Sequence, residues 1–400
     1  MKFAEKIREL AGRNETLNIL TNIFRIGGKA IWSFTIPAIL SIPDFARYST
    51  AQAGVSVISQ TCNLGGLQSL MRNGEKRMPA GAFLLHSYLY VVLEVFLFAY
   101  FFSFTDTLLP LLFICFSYCT YLLLNARTKS LLRFRVSFAV ELTGALLFAG
   151  FSVYLFFFFK GTWLSVLLIE AGVMSIVVVA LLAWGVDVFE IGYVKGFKQY
   201  IKEIYSIGFI SILDSILWRF VPLYFLKNTS DPEISLSVFN LSLQIGNALV
   251  LFPQAIIESW FPVIASLYTK DERECFIFIR NKAKLIVVVV MSLSAVGFIF
   301  SYFLIDRLYL KYSKWIVLIC FFVCLRILST IADLYSASMY ATRHERKLIA
   351  PAFVGAVSMS ILTGILTVKF GLIGCVFAYV LSRFILVFLT CRVANKIIKI

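Results

Sequence analysis

Charged side chains and catalytic motifs are scarce in this sequence. Lysine, arginine, aspartate and glutamate together make up 15% of the 400 residues, and only two residues are histidine. The chain has no Walker A motif, no Ser/His/Asp set and no His, Cys or carboxylate cluster at metal-ligand spacing. These absences leave catalysis without support. We therefore expect no enzyme, no cofactor, no metal site and no ATP-driven transport within this chain.

Acidic residues are outnumbered by basic ones, 22 to 37, for a net charge of +15. A nucleic-acid-binding domain would gather such a charge on one face of a soluble fold. Here the cations fall in alternate loops between apolar runs, so we exclude nucleic acid as a partner. The eight cysteines lie mostly inside apolar runs, which favours buried structural thiols over metal or redox chemistry.

Long apolar runs are what the chain has in abundance. The composition is 60% hydrophobic, with a mean hydropathy of +0.88. Runs of about 20 residues match the length that crosses roughly 30 Å of hydrocarbon, and the short alternating segments of a barrel are absent. The sequence therefore predicts an all-α polytopic membrane protein. We place about 12 transmembrane helices near 16–40, 45–70, 81–103, 107–126, 136–158, 162–184, 205–227, 234–257, 283–304, 315–341, 348–368 and 371–391.

The loops set the orientation of these helices. The N-terminus, the C-terminus and the alternate loops that share their side carry 25 lysines and arginines, whereas the opposite loops carry six. The positive-inside rule then places both termini in the cytoplasm. The longest connection, 185–204, resembles an amphipathic linker helix at the cytoplasmic surface. It divides the chain into an N-terminal six-helix lobe, 1–184, and a C-terminal six-helix lobe, 205–400, which show a weak parallel repeat.

Several cations lie inside predicted spans. Arg25 and Lys29 in the first span are four residues apart, so a helix places them on one face. A cation at this depth costs roughly 2.5–3.5 kcal/mol unless it faces a polar cavity or has a partner. Arg219 lies in the seventh span, the repeat partner of the first. We predict a central cavity in which Arg25, Lys29 and Arg219 hold an anionic group such as a diphosphate. Further candidates for cavity cations are Arg326, Arg383 and Arg47.

The second and eighth spans are unusually polar. Their amides suit the hydroxyl groups of a sugar, with hydrogen bonds between helices as the alternative role, and are Gln52, Gln60, Asn63, Asn240, Gln244 and Asn247. Three acids inside or near spans are candidates to bind a coupling proton or sodium ion, and nothing in the sequence selects among Asp214, Asp333 and Glu94. The alternative for all these charged residues is that they form ion pairs with one another, which would only hold the helices together.

Three segments carry a resemblance to a known family. They are PDFARYSTAQAGVSVISQTCNLGGLQSLMR, SLSVFNLSLQIGNALVLFPQAIIESWFPVIASLY and FGLIGCVFAYVLSRFILV. Together with the six-plus-six layout, they resemble the polysaccharide-exporter branch of the multidrug/oligosaccharidyl-lipid/polysaccharide (MOP) exporter superfamily. The sequence is most similar in kind to bacterial O-antigen flippases of the Wzx type. Ala46 stands where that family usually has a glycine in a turn.

The resemblance implies two MATE-like lobes that move by alternating access in the bacterial inner membrane. It implies that the cargo is an undecaprenyl-diphosphate-linked oligosaccharide, the O-antigen repeat unit of lipopolysaccharide, moved from the cytoplasmic to the periplasmic leaflet. Membrane lipid and the polysaccharide polymerase or assembly proteins are the implied partners. Two alternatives stay open: a cation-coupled drug or metabolite exporter of the same fold, and a membrane enzyme of the O-antigen polymerase type.

Overall fold

The computed structural model describes residues 27–62, 80–130, 133–159, 161–184 and 216–398, together with positions 21, 24, 208, 210, 212 and 213. Every regular element in this part of the chain is helical. Eight of its helical segments are long and apolar enough to cross a membrane. Large apolar side chains such as Leu89, Phe157 and Val317 are exposed, as on a surface that faces lipid. The prediction of a helical multi-pass membrane protein is confirmed, and the total of 12 spans stays a prediction.

The described part of the first half forms six helices, each from one apolar run. The start of the second helix shows why such a run begins where it does. Ser41 is its N-cap, and the hydroxyl accepts a hydrogen bond of 3.2 Å from the backbone N–H of Asp44, with Pro43 in the first turn. The helices are α1 (27–39), α2 (Ile42–Thr61), α3 (Ala80–Phe102), α4 (Leu108–Ser130), α5 (Phe134–Phe158) and α6 (Trp163–Ala183).

The described part of the second half begins with a π-helical turn, Ile216–Phe220, that leads directly into α7. Pro222 lies in the first turn of α7, where its missing N–H is tolerated. The helices are α7 (Val221–Lys227), α8 (Pro232–Lys270), α9 (Glu272–Leu308), α10 (Ile316–Leu328), α11 (Ile331–Ala341) and α12 (Ile349–Ile398).

Helices α8 and α9 are longer than predicted, at 39 and 37 residues against predicted spans of 234–257 and 283–304. Only one residue, Asp271, separates them. Its carboxylate accepts hydrogen bonds from the backbone N–H groups of Arg273 and Glu274, which caps α9 immediately after α8 ends. At 1.5 Å per residue, both helices extend beyond the roughly 30 Å of a hydrocarbon core.

The structure also differs from the prediction in where helices are interrupted. The predicted span 315–341 is divided into α10 and α11 at Ser329 and Thr330. In contrast, the last two predicted spans form one helix, α12, that is kinked at Gly371. The φ of Gly371 is 58°, a left-handed conformation that glycine adopts without steric cost.

The helices pack in two groups, which we call the N-terminal group (α1–α6) and the C-terminal group (α7–α12). Helix α4 packs on α3 and α6 in the first group, and α8, α9 and α10 pack on one another in the second. Between the groups, α2 packs along α8. The predicted linker, 185–204, lies outside the described residues.

The turns predicted to face outward lie together at one end of the bundle. Phe104, after α3, packs edge-on against Trp163 at the start of α6, with 5.6 Å between the ring centroids. The Nζ of Lys227, at the end of α7, lies 3.1 Å from the Oγ of Ser103. We call this the external end and its opposite the cytoplasmic end, following the charge-based prediction of topology.

Candidate functional site

A cavity of about 330 Å³ lies between the two helix groups, which we call the central cavity. Helices α1, α2, α4 and α6 line it from one side, and the π turn, α7 and α8 line it from the other. Its polar and charged lining consists of Lys29, Ser33, Tyr48, Ser49, Gln52, Ser56, Ser59, Gln60, Tyr118, Glu170, Arg219, Asn240, Gln244 and Asn247. The seam between the groups is therefore polar, while the outer surface is apolar.

Two predicted cations, Lys29 and Arg219, face the central cavity from opposite groups. The ammonium of Lys29 lies 4.6 Å from the centroid of the Tyr118 ring, a cation–π contact. Arg219 lies in the π-helical turn just before Pro222. Such turns occur preferentially at functional sites. The third predicted cation, Arg25, lies outside the described residues.

A buried carboxylate, Glu170 of α6, completes the charged part of the lining. It is 2% exposed. Its oxygens accept hydrogen bonds from Tyr48 at 2.8 Å, from Tyr118 at 2.5 Å and from the amide of Gln52. The indole of Trp32 donates in turn to the hydroxyl of Tyr48, at 2.9 Å. Lys29 attracts Glu170 electrostatically, so the carboxylate has both a cation and three donors.

Amides and hydroxyls line the rest of the central cavity. Five of the six amides predicted to contact sugar are lining residues, namely Gln52, Gln60, Asn240, Gln244 and Asn247, and the sixth, Asn63, lies outside the described residues. The Oε1 of Gln244 is buried and accepts no hydrogen bond within the described part of the chain. An unpaired buried acceptor of this kind costs about 1–3 kcal/mol. A ligand or water that donates to this oxygen would remove that cost.

The cavity is closed toward the external end by contacts between the groups. The amide of Asn240 on α8 donates to the hydroxyl of Ser49 on α2, at 3.0 Å. Closer to the external end, Ser237 donates to the carbonyl of Ile42 at 2.8 Å. Lys227 donates to the carbonyl of Phe101 at 3.0 Å. These contacts join the two groups between the central cavity and the end predicted to face outward.

Two further donors strengthen the same closure. Lys311 donates to the carbonyl of Leu40, and Tyr309 donates to the carbonyl of Phe34. In each of the named contacts at the external end, the C-terminal group supplies a side-chain donor and the N-terminal group supplies the acceptor. Lysines at the carboxyl ends of helices also interact favourably with the helix dipole.

The remaining predicted cations do not line the central cavity. Arg326 and Arg383 line a second pocket within the C-terminal group. Arg47 is exposed on α2. Among the predicted coupling acids, Glu94 accepts a hydrogen bond of 2.5 Å from Thr61, and Asp333 accepts one of 2.9 Å from Gln254. Asp214 lies outside the described residues.

Two features of the site were not predicted as functional. These are the carboxylate of Glu170 and its tyrosine partners, Tyr48 and Tyr118, which hold it by hydrogen bonds. Ala46 is buried inside α2, where the helical backbone places no demand for glycine at this position. The residue that departs from the family pattern is therefore compatible with the local structure.

Comparison by sequence gives no relative: no family model and no curated protein matches the chain. Comparison of structures finds many solved proteins of similar fold. The chain is 13% identical to the MATE multidrug transporter DinF-BH, solved as a complex with a bound compound, over 97% of this chain and 95% of that one, with a TM-score of 0.68. For a mutant of the Vibrio cholerae MATE transporter VcmN, the identity is 10%, the coverage 100% and 98%, and the TM-score 0.67.

A multidrug resistance MATE family transporter of the MOP superfamily in an outward-facing conformation is 12% identical, over 96% of each chain, with a TM-score of 0.65. At such identities the likeness shows the fold alone. The chain is a multi-pass helical membrane protein with the fold of the MATE transporters of the MOP superfamily. The predicted MATE-like architecture is thereby confirmed, and its Wzx-type branch stays a prediction.

Proposed function

We propose that this protein translocates an amphiphilic anion across the membrane by alternating access. One observation carries the proposal. Lys29 of α1 and Arg219 of the π turn come from opposite helix groups and line the same cavity. An anionic group held between them would contact both groups at once. A movement of the groups against each other would then carry that anion from one side of the membrane to the other.

The chemistry of the lining favours a diphosphate that carries sugars. Arginine binds phosphate in a bidentate manner and lysine binds it as a point charge. The amides of Gln52, Asn240 and Gln244, with neighbouring serine hydroxyls, suit the hydroxyls of a sugar. A volume of about 330 Å³ lies at the lower end of the range for small-molecule sites, so it suits a headgroup. The apolar chain of such a cargo would stay in the bilayer.

The family resemblance names this cargo more closely. It is an undecaprenyl-diphosphate-linked oligosaccharide, the O-antigen repeat unit, loaded from the cytoplasmic leaflet of the bacterial inner membrane. The closed external end supports loading from the cytoplasmic side. An inside-negative potential favours outward movement of negative charge by about 2.3 kcal/mol per charge per 100 mV. Membrane lipid and polysaccharide assembly proteins remain the proposed partners.

Glu170 is our candidate for coupling this movement to protons. In the cavity without cargo, Lys29 attracts the Glu170 carboxylate. An anionic cargo competes for the same lysine and leaves the buried carboxylate with less compensation, which favours uptake of a proton. Cargo binding and proton binding would then support each other. Glu94, Asp333 and Asp214 remain the other candidates for a proton or sodium site.

Export of drugs or metabolites is the second candidate function. It is favoured by the acid in the lining, Glu170, since a carboxylate attracts cationic compounds. Two of the structural neighbours are multidrug transporters by name, and one of them is solved with a bound compound. An anionic lipid and a cationic drug differ in the sign of the cargo charge, so one experiment separates the two candidates.

The experiment compares both cargoes in vesicles that contain the purified protein. A fluorescent polyprenyl-diphosphate sugar reports flipping of an anionic lipid, and a soluble cationic dye reports export of a cation. We expect flipping by the unchanged protein and at least tenfold slower flipping by Lys29→Gln and Arg219→Gln. The matched control is Arg307→Gln, because Arg307 is 79% exposed and pairs with Asp306 at 3.6 Å.

Two results would contradict the proposal. The first is full flipping activity in both cavity variants at normal protein level. The second is transport of the cationic dye without flipping of the diphosphate lipid, which would select the drug exporter instead.

A further inference from the structure

The π-helical turn before α7 lies where the two helix groups meet, and its last three residues reach three different places. Trp218 packs on α12 in the C-terminal half, Arg219 lines the central cavity, and Phe220 packs on α3 of the N-terminal group. Consecutive residues of a helical turn point in different directions, so one short turn can reach all three. The position of Arg219 therefore depends on what holds its two neighbours.

Trp218 fixes the turn within the C-terminal half. Its side chain is 3% exposed and packs edge-on against Tyr379 of α12, with 5.5 Å between the ring centroids. The Cζ of Arg383, also on α12, lies 4.0 Å from the centroid of the Trp218 ring. Tyr379 in turn contacts Phe322 of α10, at 4.9 Å between centroids. These contacts all lie within one half of the molecule, so they are kept when the two groups move apart.

Phe220 joins the same turn to the N-terminal group. Its ring stacks on Phe102 at the end of α3, with 5.7 Å between centroids and 27° between the ring planes. It also lies 5.6 Å from the ring of Phe98, which stacks on Phe102 at 4.8 Å. We call Phe98, Phe102 and Phe220 the aromatic cluster. Ring pairs at these distances stabilise one another beyond the burial of their surface, so the cluster holds Phe220 to α3.

The two rings of α3 are themselves held by the rest of the N-terminal group. A Cβ on Gly54 of α2 would lie 2.5 Å from the Cζ of Phe98, so this ring packs directly on the α2 backbone. Phe98 also stacks with Phe104, at 5.6 Å and 15° between the planes, and Phe104 contacts Trp163 of α6. The N-terminal part of the cluster is therefore continuous with the core of its group, and Phe220 packs on it from the other half.

We propose that Phe220 is a positioning residue for Arg219, which keeps the guanidinium in the central cavity while the external end is closed. The inference rests on the function proposed above, in which Arg219 binds the anionic cargo. Phe220 at the start of α7 and Lys227 at its end both contact α3. Opening of the external end separates α7 from α3 and removes the partner rings of Phe220, while Trp218 stays in place.

The consequence is a difference in cargo affinity between the two conformations. With the aromatic cluster formed, Phe220 and Trp218 hold the turn at both sides and Arg219 faces the cavity. With the cluster separated, the turn is held on one side only, and Arg219 can withdraw from the cargo. Closure of the external end then favours binding and opening favours release, which is the differential affinity that export requires.

The test measures binding of a soluble polyprenyl-diphosphate analogue to purified full-length protein in a neutral detergent. We expect Phe220→Ala to weaken binding at least about fivefold, because it removes both ring pairs across the groups. Phe220→Tyr keeps the ring and should bind as the unchanged protein does. Phe102→Leu should also weaken binding, and it tests the same contact from α3 even if Phe220→Ala fails to fold. The matched control is Tyr224→Ala, because this α7 ring is 48% exposed.

A double variant separates positioning from a general loss of structure. In the Arg219→Gln background, Phe220→Ala should weaken binding no further, because the effect of Phe220 passes through the guanidinium of Arg219. A general loss of structure would weaken binding equally in both backgrounds. An equal further loss in the double variant would therefore overturn the inference and leave the aromatic cluster as a contact that only joins the two groups.

The same variants distinguish a failure of this inference from a failure of the proposed function. If Arg219→Gln binds the analogue as tightly as the unchanged protein, the cargo site itself is wrong. If Arg219→Gln weakens binding while Phe220→Ala and Phe102→Leu leave it unchanged, the cargo site stands and the role of Phe220 is overturned.

Discussion

Among the described residues, the interiors of the two helix groups differ in the balance of their charges. In the N-terminal group, the interior charges are mainly carboxylates, held by hydroxyls and amides. Glu141 accepts hydrogen bonds from Tyr121 and from Asn125, the latter at 3.0 Å, much as Glu170 does from its own tyrosines. In the C-terminal half, the interior charges are mainly arginines. Arg326 donates to the amide oxygen of Asn247, Arg383 stacks on Trp218, and Arg219 lines the central cavity.

This difference shows how one cavity can carry both signs of charge. Glu170 of the N-terminal, acidic group and Arg219 of the C-terminal, basic half both line the central cavity between the groups. Lys29 is a cation contributed by the acidic group and attracted by its carboxylate. An anionic cargo at the seam would therefore contact one cation from each side, Lys29 and Arg219. The asymmetry gives each group a separate role, which the following variants test.

The largest effect should come from the acidic group. Glu170→Ala leaves three buried donors, on Tyr48, Tyr118 and Gln52, without their acceptor. Each orphaned donor costs about 1–3 kcal/mol, so we expect a loss of about 3–5 kcal/mol in the free energy of unfolding. Denaturant unfolding in detergent micelles measures it. Glu170→Gln keeps one acceptor oxygen and should lose much less. A loss below about 1 kcal/mol in the alanine variant would contradict this role for Glu170.

A smaller effect should distinguish the two cations that line the central cavity, Lys29 and Arg219, in their binding of cargo. Arg219→Lys removes a planar fork of donors, whereas Lys29→Arg keeps a cation and adds donors. If the cargo is a diphosphate, we expect about tenfold weaker binding in Arg219→Lys, which corresponds to about 1.4 kcal/mol, and a change of at most about threefold in Lys29→Arg. Binding of a soluble polyprenyl-diphosphate analogue to purified protein measures both. Equal losses in the two variants would show that the groups do not differ in this respect.

Much of the fold could be predicted from apolar runs, because each span must satisfy its own backbone in lipid. Where a helix stops or continues was harder to predict. Neither glycine nor proline marks the division at Ser329 and Thr330, so the sequence carried no signal for it. The long extensions of α8 and α9 depend on the cap at Asp271, which lies beyond the apolar part of either helix.

The candidate site was predictable where a charged or amide side chain interrupts an apolar run. Lys29 and Arg219 stand out for that reason. Tyr48 does not, because a tyrosine serves equally well as aromatic bulk, and its partner Glu170 is 122 residues away. From the sequence, both Arg219 and Arg326 are candidates to face a central cavity. Only the packing of the helices decides that Arg219 lines the central cavity and that Arg326 lines the second pocket, within the C-terminal group.

A shift of conformation should follow when the external contacts are removed. Lys227→Met and Lys311→Met keep the apolar stems and remove the donors to the N-terminal group. With about 1–1.5 kcal/mol per hydrogen bond, Lys311→Met, which loses one bond, should raise the externally open population roughly fivefold to tenfold. Lys227→Met loses two bonds and should raise it further. Labelling of Ser33→Cys, a residue of the central cavity, by an impermeant thiol reagent added outside measures this population. Lys314→Met, at the same end, is the control, and equal labelling in all variants would exclude these lysines as closing contacts.

The smallest effect should arise where α2 packs closely on α3 inside the N-terminal group. A Cβ on Gly54 of α2 would lie 2.5 Å from the Cζ of Phe98, whose ring stacks with Phe102 and contacts Phe220 of the other group at 5.6 Å. In a helix, alanine is favoured over glycine by about 1 kcal/mol, but overpacking costs about 1–3 kcal/mol. We therefore expect Gly54→Ala to lower the free energy of unfolding by about 1 kcal/mol, because the packed ring cannot move aside freely.

Gly150→Ala on α5 is the control, since no atom lies within 4 Å of its added Cβ and only the gain in helix propensity should remain. If Gly54→Ala raised the free energy of unfolding, the ring of Phe98 would have to move aside at little cost. The aromatic contact between Phe98 and Phe220 would then contribute little to holding the two groups together.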